Sequence, residues 1–164
     1  MSLLRYIALV GLGLWIGGLV ALGAVGAPTL FSVLEAAQGP AGRELAGMAF
    51  GAIFERFQLA SLILGALVVM SLGFRAAIGP RPRHFKLRLW AVIGLLVVTG
   101  STAFLVAPRI DRIRQTVSGP MASLPETDPR RVAFGRLHGL SNALMVVTVL
   151  VGLGLFWAES TDRH

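Results

Sequence analysis

The residues best equipped for chemistry stand in one short stretch, Phe134-Gly-Arg136-Leu-His138-Gly-Leu-Ser141-Asn142. His138, Ser141 and Asn142 are spaced i, i+3 and i+4, which puts them on one face of a helix, with Arg136 close by. A guanidinium, an imidazole, a hydroxyl and an amide together could form a site for a small solute, ion or metal. Glu55, Arg56, Gln58 and Ser61 form a second polar set earlier in the chain. Trp15, followed by Gly17-Gly18, adds an indole N–H inside an apolar run, and such a donor wants a partner when buried. The plain alternative is structural: Arg reaches to an interface, Ser and Asn bond neighbouring helices, and Trp packs on glycine. No Ser-His-Asp set or catalytic carboxylate pair emerges, so the residues give no positive sign of an enzyme.

Metal chemistry rests on His138. There is no Cys, His84 lies in a basic loop and His164 is the last residue. One histidine does not make a conventional zinc site. A metal could be held by His138 with Glu55, or by two His138 side chains meeting across a homodimer. A single axial haem ligand is a further option. Met48, Met70 and Met145 could be soft copper ligands, but scattered methionines in apolar segments more often fill space. No cofactor is expected, with haem or copper at His138 as the alternative.

The elements that must carry these residues are membrane spans. Of the 164 residues 55% are hydrophobic and only 14% charged, about half the charge a soluble domain needs to cover its surface. A spanning helix takes roughly 20 apolar residues. Four segments qualify, at about 6–27, 57–74, 89–107 and 137–158. The first is longer than a signal-peptide core and reads as a span. The fold expected is an all-α membrane protein, a four-transmembrane-helix bundle forming a single domain over 1–164.

The loops differ in charge. Arg75 to Arg88 holds Arg75, Arg81, Arg83, Lys86 and Arg88 with no acid, the kind of short basic loop that stays in the cytoplasm. Tyr6, Trp90 and Trp157 fall at the same end of their spans, as an aromatic belt would. The expected protein is therefore multi-pass, in the inner (plasma) membrane, with both termini cytoplasmic. The net charge of +7 is read as a topology signal and not as a footprint of nucleic acid. The basic loop could also hold anionic lipid. On the opposite side, one helix is expected to start after Gly39-Pro40 and run to Phe74. Arg109 to Arg114 should continue the third helix, and Asp128-Pro129 should cap and open the fourth.

Sliding the chain 80 residues along itself aligns Ala27-Pro28 with Ala107-Pro108, Gly39-Pro40 with Gly119-Pro120, Phe54-x-Arg56 with Phe134-x-Arg136, and Ser61 with Ser141. The spacing predicts two tandem helical hairpins, about 1–80 and 81–164, related by a pseudo-two-fold axis along the membrane normal. The two polar sets would then converge at the outer ends of spans two and four.

Leu14-Trp15-Ile-Gly17-Gly18, Ala27-Pro28-x-x-Phe31, Ala41-Gly42, Phe54-x-x-Phe57, Ala107-Pro108-Arg109-Ile110 and Phe134-Gly-Arg-Leu-His138-Gly-x-Ser141 resemble the DUF4149 or TMEM205-like membrane proteins. The Trp-x-Gly-Gly turn is more loosely similar to CopD-like proteins, some linked to copper or haem through histidines this chain mostly lacks. The resemblance implies a fold and not an activity, and eukaryotic members are tied to platinum-drug resistance. Relatives tend to carry an Asn where this chain has Met145, a role Asn142 would then take. The leading expectation is a non-enzymatic protein, dimeric, binding or moving a small solute, ion or metal through an outward-facing pocket. That pocket is expected from Arg136, His138, Ser141, Asn142, Glu55, Arg56 and Gln58, with Trp15 nearby. A haem- or metal-linked redox protein and a membrane scaffold are the alternatives.

Overall fold

The computed structural model describes residues 3–79, 81–117 and 119–162. Among them there are four long helices and no strand: α1 (Leu3–Gln38), α2 (Pro40–Ile78), α3 (Phe85–Gln115) and α4 (Pro129–Ser160). Each holds a window with a mean hydropathy of 2.0 to 2.2 and is long and apolar enough to cross a membrane. At 1.5 Å per residue they measure about 45–60 Å, more than the roughly 30 Å of hydrocarbon. The fold is a multi-pass helical membrane bundle whose helices extend beyond the apolar spans.

The turns are set by local chemistry. Gly39 makes the single-residue corner between α1 and α2 at φ 58°, a conformation glycine adopts without strain. Pro40 follows at the start of α2, where its missing N–H costs nothing. The side chain of Asp128 caps α4, accepting from the Arg130 backbone N–H at 2.8 Å. Hydrogen bonds from Arg130 hold this partly exposed carboxyl at about 2, below its ordinary 3.8.

Two wide turns interrupt the α-helical winding, Leu22–Gly26 in α1 and Thr102–Val106 in α3. They lie 80 residues apart, and each runs directly into an Ala-Pro pair. A proline ring crowds the carbonyl four residues back and removes one N–H. A π turn at that point relieves the crowding, so both helices continue past their prolines.

The helices form a square. α1 packs against α2 and α4, and α3 packs against the same two, which leaves α2 and α4 on a diagonal. The core joins Ala8, Leu12, Ile16 and Leu19 of α1 to Val68, Leu72, Val92, Leu95 and Leu155. Ile63, Val97 and Leu150 point outward, each more than 60% exposed, as suits a lipid-facing surface. Lipid tails are as apolar as these side chains, so close packing and polar contacts hold such a bundle together. Gly65 shows the closeness required: a β-carbon there would stand 2.8 Å from the Trp15 ring and also collide with Leu96. Of the predicted Gly17-Gly18 pair, Gly18 faces the Phe57 ring, whereas Gly17 faces open space.

Candidate functional site

The end where α1 starts, α4 stops and the α2–α3 loop lies is tied by buried charge. Arg75 of α2 and Arg88 of α3 meet Glu159 of α4 and Asp162 just beyond it, all four less than a tenth exposed. Arg75 Nη1 donates to Glu159 Oε1, and its Nη2 lies 3.6 Å from Asp162 Oδ2. Arg88 Nη1 donates to Glu159 Oε2 at 2.9 Å and to Asp162 Oδ2 at 2.8 Å. Arg5 of α1 completes the set, donating to the backbone carbonyls of Glu159 and Ser160 at 3.0 and 2.7 Å. Those carbonyls belong to the last turn of α4, where acceptors lack helical partners and the dipole favours a cation. Every helix contributes. Tyr6, Trp90 and Trp157 lie within two residues of Arg5, Arg88 and Glu159, and all are more than half exposed, so they ring the bundle at the level of this cluster.

Roughly 15 Å deeper, about ten helical residues from Arg5, lies a cavity of about 20 Å³ between all four helices. That is room for one water. Its polar lining comprises Trp15 from α1, Gln58 and Ser61 from α2, Thr99 and Thr102 from α3, and Ser141 and Thr148 from α4. Leu19, Phe54, Leu144 and Met145 close it. Thr102 and Thr148 spend their hydroxyls on the carbonyls of Val98 and Leu144, at 2.9 and 2.8 Å. Trp15 Nε1, Gln58 Oε1 and Ser61 Oγ have no hydrogen-bond partner although fully buried. Each such group left dry costs about 1–3 kcal/mol, so three around one cavity make an occupant energetically favourable. An occupant would have to accept from the indole N–H and donate to the amide oxygen. No charged side chain lines the cavity, which favours a neutral molecule.

The expected site residues divide. Trp15, Gln58 and Ser141 come together here, with Ser61. Glu55, Arg56, Arg136, His138 and Asn142 are exposed and do not line the cavity. The reason lies in the square arrangement. Spans two and four sit on a diagonal, and toward the far end residues 27–38 pack on α2 while residues 107–115 pack on α4. His138 stacks on Phe134 instead, ring centres 5.9 Å apart. Arg114, on the expected continuation of the third helix, places its guanidinium 5.6 Å from the centre of the Phe134 ring. Met145, and not Asn142, faces the cavity, whereas Met48 and Met70 are half exposed.

Among the described residues no group of three or more His, Asp or Glu side chains is placed to hold a metal. His138 and Glu55 are exposed on diagonal helices, and the methionines do not converge. The buried ionic cluster, in turn, was not expected. Its signal was available: four antiparallel spans put an acid-free loop and the two acids after span four at the same end.

No curated protein and no solved structure matches the chain. Residues 10–117 match the family described as Domain of unknown function (DUF4149). That segment carries Trp15, Gln58, Ser61, Thr99 and Thr102, and ends before α4 with its Phe134-to-Ser141 stretch. With more than half its length matched, including three of the four sides of the cavity, the chain belongs to the DUF4149 family.

Proposed function

We propose that the protein is a non-enzymatic membrane protein that binds a small neutral solute at the centre of its bundle. The observation that carries this reading is the set of three buried, unpartnered polar atoms, Trp15 Nε1, Gln58 Oε1 and Ser61 Oγ, around one cavity. The solute is of a class that both donates and accepts hydrogen bonds, as an amide, a urea or a polyol does. A molecule larger than water needs the helices to part. Met145, with its flexible thioether, is the lining residue best able to give way. The two π turns lie beside the cavity and within helices that would have to move, and such turns often mark functional positions.

We further infer that the loop end faces the cytoplasm, because Arg81, Arg83 and Lys86 stand exposed there in a short loop. The 80-residue coincidence of the π turns, and the presence of both Ser61 and Ser141 in the cavity wall, support a tandem repeat with the site between its halves.

The test is thermal unfolding of purified protein with urea, formamide, acetamide or glycerol at millimolar concentration. A solute at about ten times its Kd adds about 1.4 kcal/mol, which raises Tm by roughly 3 °C or more. At least one solute should stabilise the wild type and leave Gln58→Leu unmoved. Equal responses of the two proteins to every solute would reject the site.

A further inference from the structure

The ionic cluster changes what the loop end shows to its surroundings. The chain has eight side-chain carboxylates, of which six lie between Glu35 and Asp128, on the far side of the bundle. The two at the loop end, Glu159 and Asp162, are buried against Arg75 and Arg88. The exposed surface of this end therefore carries Arg81, Arg83 and Lys86 with no exposed acid among the described residues. None of these three cations has an ion-pair partner among the described residues.

The same cations border apolar surface. Arg81, His84 and Lys86 line an open depression of about 620 Å³ together with Pro82, Phe85 and Leu87. Leu87 is 70% exposed, and Trp90, one turn further along α3, is 68% exposed. His84 turns the chain here with φ 54°, a left-handed conformation uncommon outside glycine and a few polar residues, and α3 starts at the next residue. Cationic groups thus stand above a lipid-facing leucine and tryptophan at the level of the aromatic belt.

We propose that this depression holds the headgroup of an anionic phospholipid, its phosphate against Arg81 and Lys86, with Arg83 exposed beside them on the same loop, and its acyl chains along Leu87 and Trp90. Charge complementarity selects the headgroup. The adjoining apolar surface selects an amphiphile over a free anion. A basic residue at a membrane surface contributes about 1 kcal/mol toward anionic lipid, equivalent to roughly fivefold in affinity.

Native mass spectrometry of the full chain in uncharged detergent tests this, with phosphatidylglycerol and phosphatidylcholine added in equal amounts. Wild type should retain phosphatidylglycerol preferentially. The triple variant R81Q/R83Q/K86Q should lose most of that preference, while R43Q/R109Q/R112Q at the opposite end should keep it. Equal retention of both lipids by wild type would overturn the proposal. So would an equal loss in both triple variants, because net charge alone would then explain the preference. Inorganic phosphate should displace the lipid only weakly; displacement at comparable concentration would make this a free-anion site and refute the lipid assignment.

Discussion

Arg88 and Glu159 stand 71 residues apart in the chain, yet Arg88 Nη1 reaches Glu159 Oε2 at 2.9 Å inside the bundle. The contact fastens α3 to α4 where both leave the membrane. Arg75 adds α2 through the same carboxylate, and Arg5 adds α1 through the backbone beside it. A bundle in lipid gains little from apolar burial between helices, so the buried ionic cluster of three helices, with the backbone contacts of Arg5 beside it, is a main device for fixing their order.

Glu159→Leu should therefore be severely destabilising. It leaves Arg75 and Arg88 to share Asp162, and breaking a buried pair from one side costs about 3–5 kcal/mol. Adding Arg75→Leu rebalances the cluster and should recover much of that loss. Thermal unfolding of the single and double variants in detergent measures both. A double variant no more stable than E159L would show that the cluster is not held together by charge balance.

Two glycines should respond oppositely to alanine. Gly65→Ala drives a methyl into Leu96 and the Trp15 ring, and overpacking of that kind costs about 1–3 kcal/mol. Gly17→Ala meets open space and should be neutral or stabilising by up to about 1 kcal/mol, the difference in helix propensity. Unfolding midpoints of the two variants decide it.

The cap of α4 sets a pH dependence outside the membrane. Asp128 is held at about 2, below its ordinary 3.8. A depressed carboxylate contributes stability that is fully present above the ordinary value and fades as pH falls through the lowered one. Local exchange protection at the start of α4 should thus be flat above about pH 5 and decline between about pH 4 and 2. In Asp128→Ala that decline should vanish.

Orientation can be read with thiol probes, because the chain has no Cys. Thr161 at the loop end and Ser123 in the opposite connection are both exposed. In intact cells a membrane-impermeant maleimide should label Ser123→Cys and spare Thr161→Cys. The reverse pattern would place the basic loop outside.

Much of the fold was legible in the sequence because lipid imposes a simple rule on helix length and charge. The starts of α2 and α4 were legible for a local reason, since Gly39-Pro40 and Asp128-Pro129 are turn and cap chemistry written in adjacent residues. The site was half legible. Trp15, Gln58 and Ser141 stood out as polar groups in apolar runs, but nothing local told an inward Ser141 from an outward Asn142 one position later. That choice depends on the diagonal placement of α2 and α4, a property of the whole bundle. Arg75, Arg88 and Glu159 sat at span ends, where charge is normally solvated. Their burial depends on Glu159 and Asp162 reaching across to the α2–α3 loop from the end of the chain.

The central claim is that Trp15, Gln58 and Ser61 are reserved for a polar occupant. An experimental density map at about 2 Å resolution tests it most directly. It should show an ordered molecule in the cavity, with polar atoms about 2.7–3.2 Å from Trp15 Nε1 and Gln58 Oε1. A dry cavity, with the indole and the amide turned onto protein groups, would contradict it.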